Sequence, residues 1–240
     1  MERTNRELIS TLKKQKRDKS LLFLDNVKII KDALNKIEVI LILTSSEQVP
    51  FEENNFKIYK TEHKVIEMLS DSVTPQGVLC VAKFKKQPLF VPKGNFLVLD
   101  SLQDPGNVGT LIRTSVACGF EAVFLLDSVH ITNSKLIRSS VGAVFSQNLF
   151  EMTKDEFVEF VKSNNLKLAK CDMNGENVFT KSFNENIGIV VGNEGQGVSK
   201  ELAKLCEITL SIPMKGDIES LNAGVSGSII MYQIAKVNLI

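Results

Sequence analysis

Residues 188–197 read GIVVGNEGQG, and residues 208–232 read ITLSIPMKGDIESLNAGVSGSIIMY. Each begins as a short β-branched run and breaks into a loop of Gly, Asn, Ser and Glu. The second loop then enters a long apolar helix. A strand apolar on both faces, followed by a loop and a helix, is the unit from which buried parallel sheets are built. In such sheets ligands sit beyond the carboxyl ends of the strands, so these loops mark a ligand mouth. Gly192, Gly195 and Gly197 free the backbone there, which predicts close approach by the ligand.

The same alternation extends upstream. Strands are expected at Phe96–Leu99, Ala122–Leu126, Gln147–Glu151, Leu166–Cys171, Ile187–Val191 and Ile208–Ile212. Helices are expected at Val108–Cys118, Ser134–Val144, Lys154–Lys162, Ser199–Cys206 and Leu221–Lys236. This is a mostly parallel sheet with helices on both faces. Residues 87–95, QPLFVPKGN, read as a linker and divide the chain into domains 1–90 and 91–240. Before it lie strands at Leu21–Leu24, Val39–Leu43, Phe56–Tyr59 and Val78–Phe84, with helices at Val27–Leu34 and Lys64–Leu69, a small α/β unit.

The chain has 240 residues and a net charge of +1, so it is not a general polycation. The charge is unevenly placed. Residues 1–19 carry Arg3, Arg6, Lys13, Lys14, Lys16, Arg17 and Lys19 against Glu2, Glu7 and Asp18, which makes this arm +4 and leaves −3 for the rest. Two readings stand for the arm, a phosphate-contacting segment and a solvated helix face. Cys80, Cys118, Cys171 and Cys206 are widely spaced, and only His63 and His130 accompany them, which points away from a metal site or a disulfide framework. The charged first residues and short apolar runs fit neither a signal peptide nor a membrane span, so a cytoplasmic protein is expected.

Three strand-to-helix loops carry chemistry. In the first, DPGNVGTLIR (104–113), Asn107 falls where a helix cap is expected, and Arg113 follows within two turns. An Arg close to a ligand-facing helix start suits a phosphate or carboxylate. The second, VGNEGQG (191–197), lacks the spacing of a dinucleotide or ATP loop. Its carboxylate, Glu194, repels phosphate and suits hydroxyls, amines or amides. The third, IPMKGDIESLNAGV (212–225), places Glu219, Ser220 and Asn222 at the start of a helix whose Gly224 and Gly227 predict close packing rather than catalysis.

In this order and spacing the three stretches resemble the signature motifs of the SpoU/TrmH family of RNA ribose 2′-O-methyltransferases, within the SPOUT superfamily. FLDNVKIIKDAL (23–34) and TPQGV (74–78) resemble the substrate-binding domain of the family's ribosomal-RNA members, with Asp25-Asn26 in place of Glu-Gly. The resemblance implies a small L30e-like RNA-binding domain followed by a SPOUT domain with a C-terminal trefoil knot and a homodimer formed through it. It implies S-adenosylmethionine as cofactor, held by Gly192, Ile212, Met214, Leu221 and Asn222, and no metal. It makes Arg113, Asn107, Glu194, Ser220 and Asn222 the catalytic set, and the basic residues of the arm the RNA contacts. Structured RNA, most of all 23S-type ribosomal RNA, is then the substrate. A transfer-RNA methyltransferase and a non-catalytic RNA-binding assembly factor are the alternatives.

Overall fold

The computed structural model describes residues 2–47, 51, 56–183, 186–216 and 220–235. Lys236 of the expected last helix and Glu219 of the third loop lie outside the described residues. The chain divides into two compact units, Met1–Pro88 with Thr132–Ser134, and Leu89–Ile131 with Lys135–Ile240.

The first unit contains β1 (Glu2–Arg3), α1 (Arg6–Gln15), β2 (Leu22–Leu24), α2 (Val27–Ala33), β3 (Ile37–Thr44), β4 (Lys57–Lys60), α3 (His63–Leu69) and β5 (Val78–Phe84). Its five-stranded sheet has the order β1-β4-β3-β5-β2. β1, β4 and β3 are parallel, and β5 is antiparallel to both β3 and β2. The amino-terminal segment is part of this fold and not an appended arm. Asn5 caps α1 by accepting the Leu8 amide at 2.8 Å. Leu12 is 2% exposed in a core with Leu41, Leu43, Ile66, Leu69, Leu79 and Val81. At one hundred degrees per residue, Arg6, Lys13 and Lys14 fall on the side of α1 opposite Leu8 and Leu12.

The second unit contains β6 (Phe96–Asp100), α4 (Pro105–Ala117), β7 (Ala122–Leu126), α5 (Ser134–Ser139), β8 (Leu149–Met152), α6 (Lys154–Asn164), β9 (Leu168–Asn177), β10 (Gly188–Gly192), α7 (Lys200–Ala203), β11 (Cys206–Ser211) and α8 (Ala223–Ala235). The six strands form a parallel sheet ordered β11-β9-β10-β6-β7-β8. Alternate residues face opposite sides, as the strand period requires. Phe96, Val98, Phe124, Leu126 and Val190 share a core with Phe157 and Val161 of α6 and Leu202 of α7. Phe124 is its hub, with the rings of Phe96, Phe150, Phe157 and Phe160 centred 5.1–5.7 Å away. The opposite face is covered by α4 and α8. α6 opens with a capping box between Thr153 and Glu156, whose carboxyl the Thr153 amide holds below the usual range.

Several boundaries differ from expectation for local reasons. α4 starts at Pro105, because Asp104 accepts the amides of Gly106 and Asn107 at 2.6 and 3.0 Å. Asp104 is therefore the cap and Asn107 is freed from that role. α5 stops at Ser139, before Val141 and Gly142 adopt φ of 54° and 83°. β9 runs to Asn177, past the expected end at Cys171, because its polar half pairs with β11. At Gly175 a Cβ would lie 2.6 Å from the Thr209 carbonyl, so that pairing needs glycine.

Leu12→Ala is expected to destabilise the protein by about 2–4 kcal/mol, whereas Lys13→Glu changes stability by less than about 0.5 kcal/mol. Urea unfolding followed by circular dichroism measures both, and equal effects would contradict a structural role for α1.

Candidate active site

The three loops meet beyond the carboxyl ends of β6, β10 and β11. α8 lies close against α4, and glycine makes that approach possible. A Cβ at Gly227 would sit 2.5 Å from Leu111 Cδ2 and 3.0 Å from Val191 Cγ2, and one at Gly224 would sit 3.4 Å from the Asn107 Cα. Close packing is thus the reason for Gly227, while Gly224 lies in a tight but not excluding contact with Asn107 and Asn222. Thr114 and Ser228 share a hydrogen bond of 2.9 Å between the two helices.

This approach joins three of the expected polar residues into one chain of hydrogen bonds. Asn107 Nδ2 donates to Glu194 Oε1 at 2.8 Å, and Asn222 Nδ2 donates to Asn107 Oδ1 at 2.9 Å. Asn222 precedes α8 and caps it: its Oδ1 accepts the Val225 amide at 3.2 Å and its carbonyl accepts the Ser226 amide at 2.9 Å. Each amide is held by both its donor and its acceptor, which fixes its orientation.

The GNEGQG turn is closed on itself. Asn193 and Gly197 exchange backbone hydrogen bonds at 3.1 and 2.8 Å, and Asn193 Oδ1 accepts the amides of Gly195 and Gln196. Gly192 and Gly197 serve the chain itself. A Cβ at Gly192 would lie 2.2 Å from the Gly197 carbonyl carbon, and Gly197 has φ of 68°. Asp100, only 1% exposed, anchors the loop's far end by accepting the Ser199 amide at 2.6 Å while pairing with Lys154 at 3.1 Å. In the sequence alone, Asp100 is visible only as the residue that ends a strand.

A cavity of about 470 Å³ lies beside this junction. Its walls come from Cys171, Asp172 and Met173 of β9, from Val191, Gly192, Asn193, Glu194 and Gly197, from Leu210, Ile212 and Met214, from Ser220, Leu221 and Asn222, and from Ala223, Ser226 and Ile230 of α8. All five residues expected to hold the cofactor line it, as do Glu194 and Ser220. Asn107 braces it through Glu194 and Asn222. No local signal marks Cys171, Asp172 and Met173 for the site, because only the non-local pairing of β9 with β11 carries them there. Burial pushes the Cys171 thiol up to about 12, so it faces the cavity uncharged. The size suits a small-molecule ligand. Aliphatic walls with two carboxylates suit an adenosyl amino acid, with apolar, hydroxyl and cationic parts.

Arg113 stands apart. It is exposed on α4, does not line the cavity and has no hydrogen-bond or ion-pair partner among the described residues. Lys16, grouped with the free basic residues in the sequence, is committed elsewhere: its ammonium donates to the Ser70 carbonyl at 3.0 Å and pairs with Asp71 at 2.7 Å. Among the described residues no group of three or more His, Cys, Asp or Glu could hold a metal ion, and no helix is long and apolar enough to cross a membrane.

If the Asn107–Asn222 hydrogen bond holds the loops together, a double-mutant cycle of Asn107→Ala and Asn222→Ala gives a coupling of about 0.5–1.5 kcal/mol in chemical denaturation. Strict additivity would show that the bond does not couple them.

Residues 94–232 match the model of the SpoU rRNA Methylase family. A relative from Bacillus subtilis (strain 168), 23S rRNA (guanosine(2553)-2'-O)-methyltransferase RlmP, is 26% identical over 227 residues, covering 92% of this chain and 91% of that protein. The AdoMet-bound rRNA methyltransferase from Sinorhizobium meliloti has the same fold, with a TM-score of 0.88 at 21% identity over 100% of this chain and 98% of that one. So has the SpoU methyltransferase AviRb from Streptomyces viridochromogenes in complex with AdoMet, with a TM-score of 0.87 at 21% identity over 98% and 99%. Since the matched span runs from just before β6 into α8 and takes in every loop of the cavity, the chain belongs to the SpoU rRNA methylase family.

Proposed function

We propose that this chain transfers a methyl group from S-adenosylmethionine to a ribose 2′-hydroxyl of structured RNA, with 23S-type ribosomal RNA as the substrate. The observation that carries the reading is that the second and third motif loops line one cavity and the first is tied to both of them through the Glu194–Asn107–Asn222 hydrogen bonds. Ribosomal RNA is favoured over transfer RNA because the Bacillus subtilis relative, named for 23S rRNA, aligns with 92% of the chain, first unit included.

Gly192, Ile212, Met214, Leu221 and Asn222 hold the cofactor, with Glu194 and Ser220 beside it. When bound, S-adenosylmethionine supplies an electrophilic methyl carbon. The protein then has to align the ribose oxygen and ease the loss of its proton. A guanidinium stays charged at neutral pH, so Arg113 is assigned to holding the neighbouring phosphate and the developing alkoxide, while the proton leaves to phosphate or water.

Arg113 does not line its own chain's cavity, and the helices beside it expose Val116, Val225 and Tyr232. A homodimer through the α4–α8 face covers these side chains and completes the site with a second copy. The C-terminal part is assigned a trefoil-knotted path. The strand order supports it, because β11 joins the sheet beyond β9 while α8 returns to α4 and β10. The first unit is assigned as an L30e-like RNA-binding domain, with Arg3, Arg6, Lys13, Lys14, Arg17 and Lys19 exposed toward phosphates. Action on ribosomal RNA places the protein in the cytoplasm.

With labelled methyl donor and total RNA, label is expected in ribosomal RNA at a 2′-oxygen. Binding without labelling would instead mark an assembly factor, and label in transfer RNA would move the substrate. Arg113→Ala is expected to lower turnover at least about a hundredfold, a loss typical of removing one charge-stabilising donor, with little change in cofactor affinity; retained turnover contradicts the assignment.

Deletion of the basic segment is no clean test, because it removes Leu12 from the core. Charge reversal at Arg6, Lys13 and Lys14 keeps the fold. It is expected to weaken RNA binding and to reduce the slope of log affinity against log salt by about one for each phosphate that is no longer neutralised. An unchanged slope leaves the basic face of α1 as a solvated surface.

A further inference from the structure

The cavity's described lining contains two carboxylates, Asp172 and Glu194, and no Lys, Arg or His. Glu194 is held at one oxygen by Asn107, which fixes the position of its carboxyl group. Asp172 is fixed too: Oδ1 accepts the Asn174 amide at 3.1 Å, and Oδ2 lies 3.3 Å from Lys170 Nζ. The Asn174 amide holds the Asp172 carboxyl below the usual range, so it is ionised at neutral pH. Lys170 is not part of the cavity wall. Its contact with Asp172 leaves the carboxylate, whose side chain is 38% exposed, with further lone pairs.

A sulfonium donor carries one positive charge more than the thioether left after methyl transfer, while adenosine, ammonium and carboxylate are the same in both. A fixed negative charge in the wall distinguishes the two by that charge alone. We propose that Asp172, together with Glu194, makes the cavity selective for the charged methyl donor over its neutral thioether product, so that loss of the sulfonium charge favours product release. The inference rests on the cofactor reading above and concerns a residue outside the three motifs.

Isothermal titration of the unsubstituted protein and of Asp172→Asn with S-adenosylmethionine and with S-adenosylhomocysteine tests it, with thermal melts confirming that both are folded. For Asp172→Asn the donor affinity is expected to fall by about fivefold or more, about 1 kcal/mol, with the product affinity changed by less than about twofold. Lys170→Met, which removes the competing cation, is expected to shift the donor-to-product ratio the other way. Equal losses for both ligands in Asp172→Asn would show that Asp172 holds a group they share, and would overturn the proposal. So would unchanged affinities. If the unsubstituted protein binds neither ligand, it is the cofactor reading that fails.

Discussion

The seating of α8 on α4 is the constraint on which the site depends. At residue 227 the Leu111 side chain leaves no room for a Cβ, and at residue 224 a Cβ would crowd the side-chain oxygens of Asn107 and Asn222 at 3.3 and 3.2 Å. Glycine costs about 1 kcal/mol in a helix interior, and here that cost is offset by bringing Asn222 within reach of Asn107, and Asn107 within reach of Glu194. Three loops far apart in sequence are thereby tied together, two of them lining the cavity and the first bracing it through Asn107. A larger residue at position 227 would act on all three at once.

A second constraint is the buried carboxylate of Asp100. Burying a charge is costly unless it is paired and hydrogen-bonded. Asp100 meets that requirement with Lys154, the Ser199 amide and the Ser101 hydroxyl. The effect is to join the end of β6 to the end of the GNEGQG loop, while Asn193 closes the same loop from inside. The backbone around Glu194 is thus set by hydrogen bonds and an ion pair within the chain itself, which is how a preorganised site is built.

The first unit uses its charges differently. α1 buries Leu12 and presents Arg6, Lys13 and Lys14 on the opposite side, so the same helix supports the core and carries a basic surface. Lys16 shows the limit of reading charge from composition, since its ammonium ties α1 to the backbone after α3. The sheet opposes a short amino-terminal strand to β4, a pairing that Glu2 and Arg3 do not announce by hydropathy.

The sequence by itself determined the alternation of strands and helices, because buried parallel strands are continuous apolar runs and the helices carry their own period. It also singled out three loops, through ordered motifs at Asn107–Arg113, Glu194 and Ser220–Asn222. It placed Gly224 and Gly227 in a tight contact without naming the neighbour. Only the tertiary structure decided that Asp104 caps α4 and leaves Asn107 free to bridge two loops, since either residue can cap locally. Only it decided that Gly192 makes room for the chain's own backbone, and that Asp172 reaches the cavity. The reason is the same in each case: caps and periods are local and written in neighbouring residues, whereas β9–β11 pairing and α4–α8 packing join segments more than thirty residues apart. Which polar groups share a cavity is settled by those distant contacts.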